Sequence, residues 1–149
     1  HATINYKGGR CNCGNIGCVE LEAATWSITA KVKAHPLYSS SSLQQENKID
    51  FEALFRCAAA NDALAIAMRD ECLSIWAACA VNLVHAYDPE VIVISGGIMA
   101  SKQHILPYLQ QKVDEHSWAP PGQVVIKEAL HINTAALLGI YYLTTQLTR

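Results

Sequence analysis

Residues 1–20 read HATINYKGGRCNCGNIGCVE, a stretch that places one imidazole and three thiols around turn-forming glycines. Cys11 and Cys13 are separated by one residue and Cys18 follows after four more, so one loop can carry all three sulfur atoms. Zn²⁺ takes four ligands in a tetrahedron, and three cysteines with one histidine are a usual set for a closed structural site. The stretch therefore predicts a zinc site with His1, Cys11, Cys13 and Cys18 as ligands.

The glycines of this loop fit the turns that such a site needs. Gly14 and Gly17 can adopt positive φ without a Cβ clash, and a turn at 7–9 would bring His1 back toward the cysteines. Ordinary or disulfide-bonded cysteines are the alternative, but three cysteines leave one unpaired and nothing else in the sequence suggests secretion. An open catalytic zinc site is disfavoured, because four protein ligands leave no position for water. We expect the metal to organise the loop.

The arrangement of His1 followed by CxCGxxGCxE at 11–20 resembles the zinc signature of the ROK family, a group of bacterial sugar kinases and sugar-responsive repressors. By this resemblance, His1 and the three cysteines bind a structural zinc, and His1 and Glu20 face the hydroxyls of a sugar. An ionised glutamate suits that role, since it accepts short, charge-assisted hydrogen bonds from O–H groups. The alternative for Glu20 is an acidic residue at a helix N-terminus, stabilised by the helix macrodipole.

Composition restricts the class of protein. With 149 residues, 51% of them hydrophobic and 16% charged, the chain can bury one substantial core. The net charge is −2 and no basic run is present, so we expect no nucleic-acid binding through this segment. Charged residues interrupt every long apolar stretch, which predicts no membrane span. No secretory signal is seen, and Cys57, Cys72 and Cys79 have the apolar helical surroundings of buried reduced thiols. We therefore expect the protein to be located in the cytoplasm.

Hydrophobic periodicity predicts five helices along the rest of the chain. They are expected at 21–34, ending before Pro36; at 51–60, capped by Asp50; from Asp62 to about 86, as a buried central element; at 103–116, with Pro107 in the first turn; and at 134–146. The last contains small residues that permit close packing against a sheet or another helix. The polar stretch 37–48 is expected to be an exposed loop.

Residues 88–98 read DPEVIVISGGI, which predicts a buried parallel strand that leads into a glycine-rich turn. A second strand is expected at 124–127. Ligands of α/β sheets collect at the carboxyl ends of strands, and paired glycines let a nucleotide approach the backbone. A tight turn that needs positive φ is the alternative. Beside the zinc signature, Gly96 and Gly97 resemble the adenosine-binding glycines of ROK and other hexokinase-like ATPases, which implies that they border an ATP pocket.

The resemblance implies an α/β fold, namely the carboxyl-terminal lobe of an actin-like/hexokinase-like (ribonuclease H-like) ATPase with a zinc-stapled loop. It extends from His1 through Gly139 and covers about half of a typical family member. We expect residues 1–149 to form a single lobe of a longer ROK protein, with the zinc loop at 1–20 and a helical and α/β core at 21–149. The phosphate-binding loop and the general base of the family lie upstream of the zinc signature, so no catalytic residue is expected in this chain.

Three functions remain open. The first is a sugar kinase that transfers the γ-phosphoryl group of ATP, bound with Mg²⁺, to a hydroxyl of a hexose or N-acetylhexosamine. The second is a sugar-sensing repressor whose DNA-binding domain lies upstream. The third is an isolated structural lobe, and we expect no turnover from this chain alone. The sequence Ser95-Gly96-Gly97 favours the kinase, because a repressor without need of ATP is free to lose those glycines. The resemblance also implies a homodimer, and the identity of the sugar stays open.

Overall fold

A computed structural model describes residues 1–131 and 134–147. Within these residues the structure has six α-helices, two β-strands and three short 3₁₀ helices. The helices and strands are α1 (Val19–Ala23), α2 (Thr25–Ala34), α3 (Phe51–Ala59), α4 (Ala63–Tyr87), β1 (Val91–Ile94), α5 (Lys102–His116), β2 (Val125–Glu128) and α6 (Ala135–Leu147). The 3₁₀ helices are Tyr38–Ser40, Ser42–Gln45 and Gly97–Ser101.

The long helix α4 lies at the centre of the fold, and α1, α3 and α5 pack against it. It begins after Asp62, as predicted, because the Asp62 carboxylate accepts a 2.9 Å hydrogen bond from the backbone N–H of Ala65. Helix α3 begins in the same way after Asp50, which accepts a 3.0 Å hydrogen bond from Ala53. The largest fully buried side chains of the core are Ile28, Val32, Leu43, Leu54, Leu64, Val84, Ile105, Leu109, Val113 and Val124.

Asp62 also holds the segment before α3 in place. Its carboxylate accepts hydrogen bonds from the Ser42 backbone N–H at 2.6 Å and from the hydroxyls of Ser41 and Ser42 at 2.9 and 2.8 Å. Burial acts to raise the pKa of Asp62, but these hydrogen bonds and the one from Ala65 outweigh it and lower the pKa to about 2. The ionised carboxylate is therefore the form that stabilises the fold.

We expect Asp62→Ala to lower the free energy of unfolding at pH 7 by about 0.5–2 kcal/mol, the usual contribution of a helix cap. The folded pKa lies below the ordinary value of 3.8, so the wild-type contribution is complete above pH 4–5 and declines as the pH falls toward about 2. Urea unfolding should show a smaller difference in the free energy of unfolding between variant and wild type at pH 3 than at pH 7. Asp70→Ala, at an exposed carboxylate on the same helix, is the control, and an equal pH dependence in both variants would contradict the assignment.

The two strands form a parallel sheet, with α5 as the connection between them, in agreement with the predicted parallel strand. Residues 91–94 pair in register with 125–128. One face is covered, since Ile92 is 8% exposed, but Val93 on the other face is 59% exposed. Among the described residues, the expectation of a buried strand therefore holds for one face of β1 only, because no described residue covers the face that carries Val93.

The predicted helix at 21–34 consists of two helices, α1 and α2, with a break at Ala24. Ala24 has an extended backbone with φ −103° and ψ 160°. Its N–H donates to Ser27 Oγ at 3.1 Å, and the Ser27 hydroxyl lies 3.2 Å from the carbonyl oxygen of Glu20, so one side chain satisfies both helix ends. The break gives α1 a direction of its own, which matters for the site that it carries.

The structure corrects two local predictions. The stretch 37–48 is not a plain exposed loop, since it contains two of the 3₁₀ helices and its Leu43 is fully buried in the core. Pro107 is not in the first turn of its helix, because α5 begins at Lys102 and Pro107 is inside it. Its missing N–H leaves the carbonyl group of residue 103 without the usual helical partner.

Helix α6 presents a large exposed apolar surface. It matches the helix predicted at 134–146 within one residue at each end. Leu137, Ile140 and Tyr141 on this helix are 67%, 60% and 70% exposed. The close packing expected from its small residues is not seen among the residues that the structure describes. None of the helices in the described ranges is long and apolar enough to cross a membrane.

Candidate metal centre and its surroundings

The amino-terminal loop is closed by backbone contacts between its two ends. The Gly17 carbonyl oxygen accepts hydrogen bonds from the N–H groups of Ile4 at 2.8 Å and Asn5 at 3.1 Å, and Thr3 pairs with Cys18 in an antiparallel bridge. Gly17 has φ +57°, and a Cβ at this position would collide with the carbonyl oxygen of Asn5. Both conformation and space therefore require glycine at 17.

This closure brings together the four side chains that the sequence singled out. The ligand atoms of His1, Cys11, Cys13 and Cys18 all lie within 4.8 Å of one another. Cys13 Sγ is 3.5 Å from Cys18 Sγ, and Cys11 Sγ is 3.7 Å from His1 Nδ1. Sulfur atoms around a tetrahedral Zn²⁺ are about 3.8 Å apart, given Zn–S bonds of about 2.3 Å. The donor set and its spacing therefore fit one zinc ion.

The thiols of the cluster differ in acidity. A backbone hydrogen bond from Asn15 and contacts with the neighbouring thiols lower the pKa of Cys13, although partial desolvation by the surrounding loop opposes this effect. Burial and the neighbouring sulfur atoms raise the pKa of Cys18 to about 11. Ionising all three thiols would place like charges within 4.8 Å of one another, which a divalent cation would neutralise. A metal therefore suits this cluster better than three free thiolates.

His1 connects the thiol cluster to Glu20. Its Nδ1 faces Cys11, whereas its Nε2 lies 2.8 Å from Glu20 Oε2. A metal ligated by Nδ1 leaves the proton on Nε2, where it donates to the carboxylate, and such a carboxylate orients a metal-binding histidine. The Glu20 side chain is 41% exposed, so it can also accept hydrogen bonds from a ligand. The macrodipole alternative for Glu20 is weak here, because α1 has only five residues.

Trp26 is a candidate site residue that sequence reasoning missed. Its indole N–H donates a 3.3 Å hydrogen bond to Glu20 Oε1, so both oxygens of Glu20 have partners in the chain. A tryptophan six residues after the signature glutamate was the available signal. The direction of the Trp26 side chain could not be predicted from a continuous helical pattern, because the break at Ala24 determines how α2 is oriented relative to Glu20.

The glycine pair after β1 occupies a different part of the molecule. Gly96 has φ +99°, so the tight-turn alternative accounts for this glycine. Gly97 lies outside the positive-φ region, and a Cβ there would meet no described atom within 4 Å. Local conformation and packing therefore give no reason for glycine at 97, and its backbone is open to an approaching ligand.

Two adjoining cavities lie between these parts. A cavity of about 520 Å³ is lined by Trp26, together with Thr25 and Lys48. A second cavity of about 260 Å³ is lined by Gly97 and again by Thr25 and Lys48. Because they share Thr25 and Lys48, these cavities form a concave surface that runs from Trp26, whose indole contacts Glu20, to Gly97. We refer to this surface, marked by Trp26, Thr25, Lys48 and Gly97, as the connecting cleft.

Comparison with known proteins gives consistent relatives. The chain is 28% identical to a glucokinase of Thermotoga maritima over 121 residues, which cover 78% of this chain and 38% of the glucokinase. The crystal structure of a ROK hexokinase from Thermus thermophilus matches 98% of this chain and 47% of its own, with 26% identity and a TM-score of 0.73. A ROK family transcriptional regulator, a homologue of the E. coli MLC protein, matches 86% of this chain and 33% of its own, with 28% identity and a TM-score of 0.68.

These relatives include both kinases and a regulator, and the chain spans less than half the length of each. Their shared fold is hexokinase-like with mixed α and β structure, in agreement with the α/β class expected from the sequence. The sequence model of the ROK family matches residues 1–147, which is nearly the whole chain. The chain therefore belongs to the ROK family.

Proposed function

We propose that this chain is the carboxyl-terminal lobe of a ROK sugar kinase, in which residues 1–20 form a zinc-stapled wall of the sugar site and residues 21–149 form the core. The observation that carries the proposal is the connecting cleft, which runs from Trp26, the hydrogen-bond partner of Glu20, to Gly97. A kinase needs a sugar and a nucleotide on one concave surface, whereas a sugar sensor needs only the first.

In this proposal, His1, Cys11, Cys13 and Cys18 hold a structural zinc. The bound metal would supply no chemistry beyond fixing the loop, because the protein fills all four coordination positions. Its effect is to set the side chain of His1, and through it that of Glu20, at a constant position. Phosphoryl transfer depends chiefly on positioning and electrostatic stabilisation, so a rigid wall is useful there.

Glu20 is the residue that we propose to recognise the sugar. An ionised carboxylate only accepts hydrogen bonds, and it binds vicinal hydroxyl groups with its two oxygens. His1 Nε2 and the Trp26 indole hold this carboxylate from either side at 2.8 and 3.3 Å. A hexose or an N-acetylhexosamine fits this recognition, since either offers adjacent hydroxyl groups.

Gly96 and Gly97 are proposed to border the nucleotide at the far end of the connecting cleft. Asp50 and Glu52 also line this end together with Lys48, which pairs with Asp50 at 3.2 Å, so Glu52 leaves a net negative charge that would repel phosphate oxygens. The nucleoside part of ATP therefore fits beside Gly97, with carboxylates available to its ribose hydroxyls. The general base, the phosphate-binding loop and the residues that bind Mg²⁺ are expected in the upstream part of the longer protein.

The test is the full-length protein that contains this chain, supplied with ATP, Mg²⁺ and separate hexoses and N-acetylhexosamines. We expect ADP release with at least one sugar, and Glu20→Gln should raise the KM for that sugar about tenfold or more, since a charged hydrogen bond is lost. Glu115→Gln, at an exposed carboxylate on α5, should leave the KM for the sugar and the KM for ATP unchanged. The 149-residue chain alone should release no ADP. Sugar-independent ADP release, or none with any sugar, would contradict the proposal.

A sugar-sensing repressor is the second candidate, favoured by the 28% identity to the ROK family transcriptional regulator. It would use the same loop and Glu20 to sense a sugar, with DNA binding in an upstream domain. A full-length protein that binds a specific operator DNA in a sugar-dependent way, and releases no ADP, would support this function instead.

Two further proposals concern the state of the whole protein. The cytoplasm is proposed as the compartment, because Cys57 and Cys72 are thiols buried in the apolar core, as in proteins of reducing compartments. A homodimer is proposed from the family resemblance. Sedimentation of the full-length protein would measure the second.

A further inference from the structure

Glu22 is a buried charged residue on α1 that the proposed site does not use. It is 8% exposed, and its Oε2 lies 3.0 Å from Lys31 Nζ. Lys31 also donates to the Glu22 carbonyl oxygen at 2.9 Å, and Asn5 Nδ2 donates to Glu22 Oε1 at 3.3 Å. A buried carboxylate with this many partners is held in one orientation.

Lys31 extends these contacts to the centre of the fold. Its ammonium group lies 3.0 Å from Glu71 Oε1 on α4, so it contacts two carboxylates at once. Burial acts against its charge, but the hydrogen bonds to Glu22 and Glu71 prevail and raise the pKa of Lys31. We call the three residues Glu22, Lys31 and Glu71 the carboxylate bridge. It ties α1, α2 and α4 together.

The loop side of Glu22 is equally close. A Cβ at Gly8 would overlap Glu22 Oε1 and would lie 2.8 Å from the Cα of Gly17. Gly17 directly precedes Cys18, where the loop enters α1. The carboxylate therefore lies directly against the loop at Gly8, close to the point where Gly17 and Asn5 join the two ends of the loop.

The position of Glu22 determines where Glu20 points. Two residues along a helix differ by about 200° in direction, so an inward Glu22 turns Glu20 outward. Helix α1 has five residues and is too short to hold its orientation alone. Its carboxyl end is fixed by the Trp76 indole, which donates to the Ala23 carbonyl oxygen at 3.1 Å. The carboxylate bridge supplies the second attachment, and two attachments fix the rotation of a short helix about its axis.

We propose that Glu22, held by Lys31 and Glu71, is a positioning residue for sugar recognition, which fixes the rotation of α1 and thereby the direction in which Glu20 meets the sugar. The inference rests on the proposed role of Glu20. The proposed sugar kinase activity requires the upstream part of the protein, whereas the orientation of α1 is a property of this chain. The two can therefore be tested separately.

The first test measures the orientation of Glu20 without any turnover. The 149-residue chain is labelled with 5-fluorotryptophan, loaded with one equivalent of Zn²⁺, and studied by ¹⁹F NMR; its three tryptophan signals are assigned by Trp→Phe variants. Lys31→Met should shift the Trp26 signal, because the partner of its indole moves, while the signal of the distant Trp118 stays in place. Lys31 also lines a cavity with Trp26, so Glu71→Gln, whose carboxylate does not line that cavity, must shift the Trp26 signal in the same direction. Lys31→Arg should restore the Trp26 signal. Glu71→Gln removes only the more exposed contact and should shift it less.

The second test uses the full-length protein. Glu22→Gln and Lys31→Met should each raise the KM for the sugar about tenfold while the KM for ATP changes less than about twofold, since only the sugar wall is misplaced. Glu115→Gln, which breaks a similar Lys–Glu pair on α5, is the matched control and should change neither.

The outcomes are distinct. A lower melting temperature with an unchanged Trp26 signal and an unchanged KM for the sugar would show a merely structural bridge and overturn the inference. A shifted Trp26 signal in the 149-residue chain, combined with a full-length protein that phosphorylates no sugar, would support the positioning of Glu20 by the bridge and refute the kinase function. If Lys31→Met does not fold, Glu71→Gln decides the result by the same two measurements.

Discussion

Cys13→Ser is expected to abolish stoichiometric zinc binding and to lower the melting temperature of the zinc-loaded chain by about 6–12 °C. The physical reason is linkage, because a metal that binds only the folded loop adds its binding free energy to that of folding. Loss of one ligand should remove at least about 3 kcal/mol, and each kcal/mol corresponds to about 2–4 °C for a chain of this size. Cys13 is exposed, so its replacement removes little packing and reports mainly on the metal.

Metal analysis and thermal unfolding with and without a chelator measure this prediction. In the presence of chelator, wild type and Cys13→Ser should unfold at nearly the same temperature, because the metal is then absent from both. Cys79→Ala, at a thiol on α4 outside the cluster, should keep its zinc. A Cys13→Ser chain that retains zinc, or a wild type whose stability does not respond to the chelator, would refute the metal site.

Gly17→Ala should be the most disruptive single methyl group that can be added to the loop. An alanine there must adopt φ near +57°, which costs about 1–2 kcal/mol, and its Cβ would also collide with the Asn5 carbonyl oxygen. The collision is with backbone, so it cannot be relieved by a side-chain rotation. We expect the loop to open between Asn5 and Gly17, with a total loss of at least about 3 kcal/mol and at least tenfold weaker zinc binding.

Gly14→Ala is the matched control for this prediction. Gly14 also has positive φ, at +88°, but a Cβ there would meet no atom within 4 Å. It should therefore show the conformational cost alone, about 1–2 kcal/mol, with zinc affinity nearly retained. Chelator competition and urea unfolding of both variants provide the numbers. Equal effects at the two positions would mean that the contact between Gly17 and Asn5 is not formed.

Much of the local structure was predictable from residue types. Asp50 and Asp62 begin their helices as expected, because a short carboxylate satisfies free N–H groups wherever the chain enters a helix. The parallel pairing of β1 was predictable from its β-branched run, since strands of this kind are built into parallel sheets. The clustering of His1, Cys11, Cys13 and Cys18 was also predictable, because their spacing is one that a metal site would need.

The direction of side chains was less predictable. A continuous pattern at 21–34 concealed the break at Ala24, which is produced by Ser27 accepting a hydrogen bond from the backbone of Ala24. Without that break, neither the contact between Trp26 and Glu20 nor the one between Lys31 and Glu22 can be inferred. The exposed face of β1 and the exposed α6 show the same limit, because hydropathy indicates that a surface is apolar and not what covers it.

The sequence by itself therefore determined the family, the four residues of the candidate metal site and most helix boundaries, because these depend on residue types at fixed spacings. Only the tertiary structure decided that His1 presents Nδ1 to the thiols and Nε2 to Glu20, and that Thr25 and Lys48 join two cavities into one cleft. The physical reason is that spacing along a chain fixes which atoms are available. The directions of those atoms follow from how short helices are anchored to distant ones. In α1 one such anchor is the buried carboxylate of Glu22, which binds Lys31, 9 residues away on α2. Lys31 in turn binds Glu71, a further 40 residues along the chain on α4.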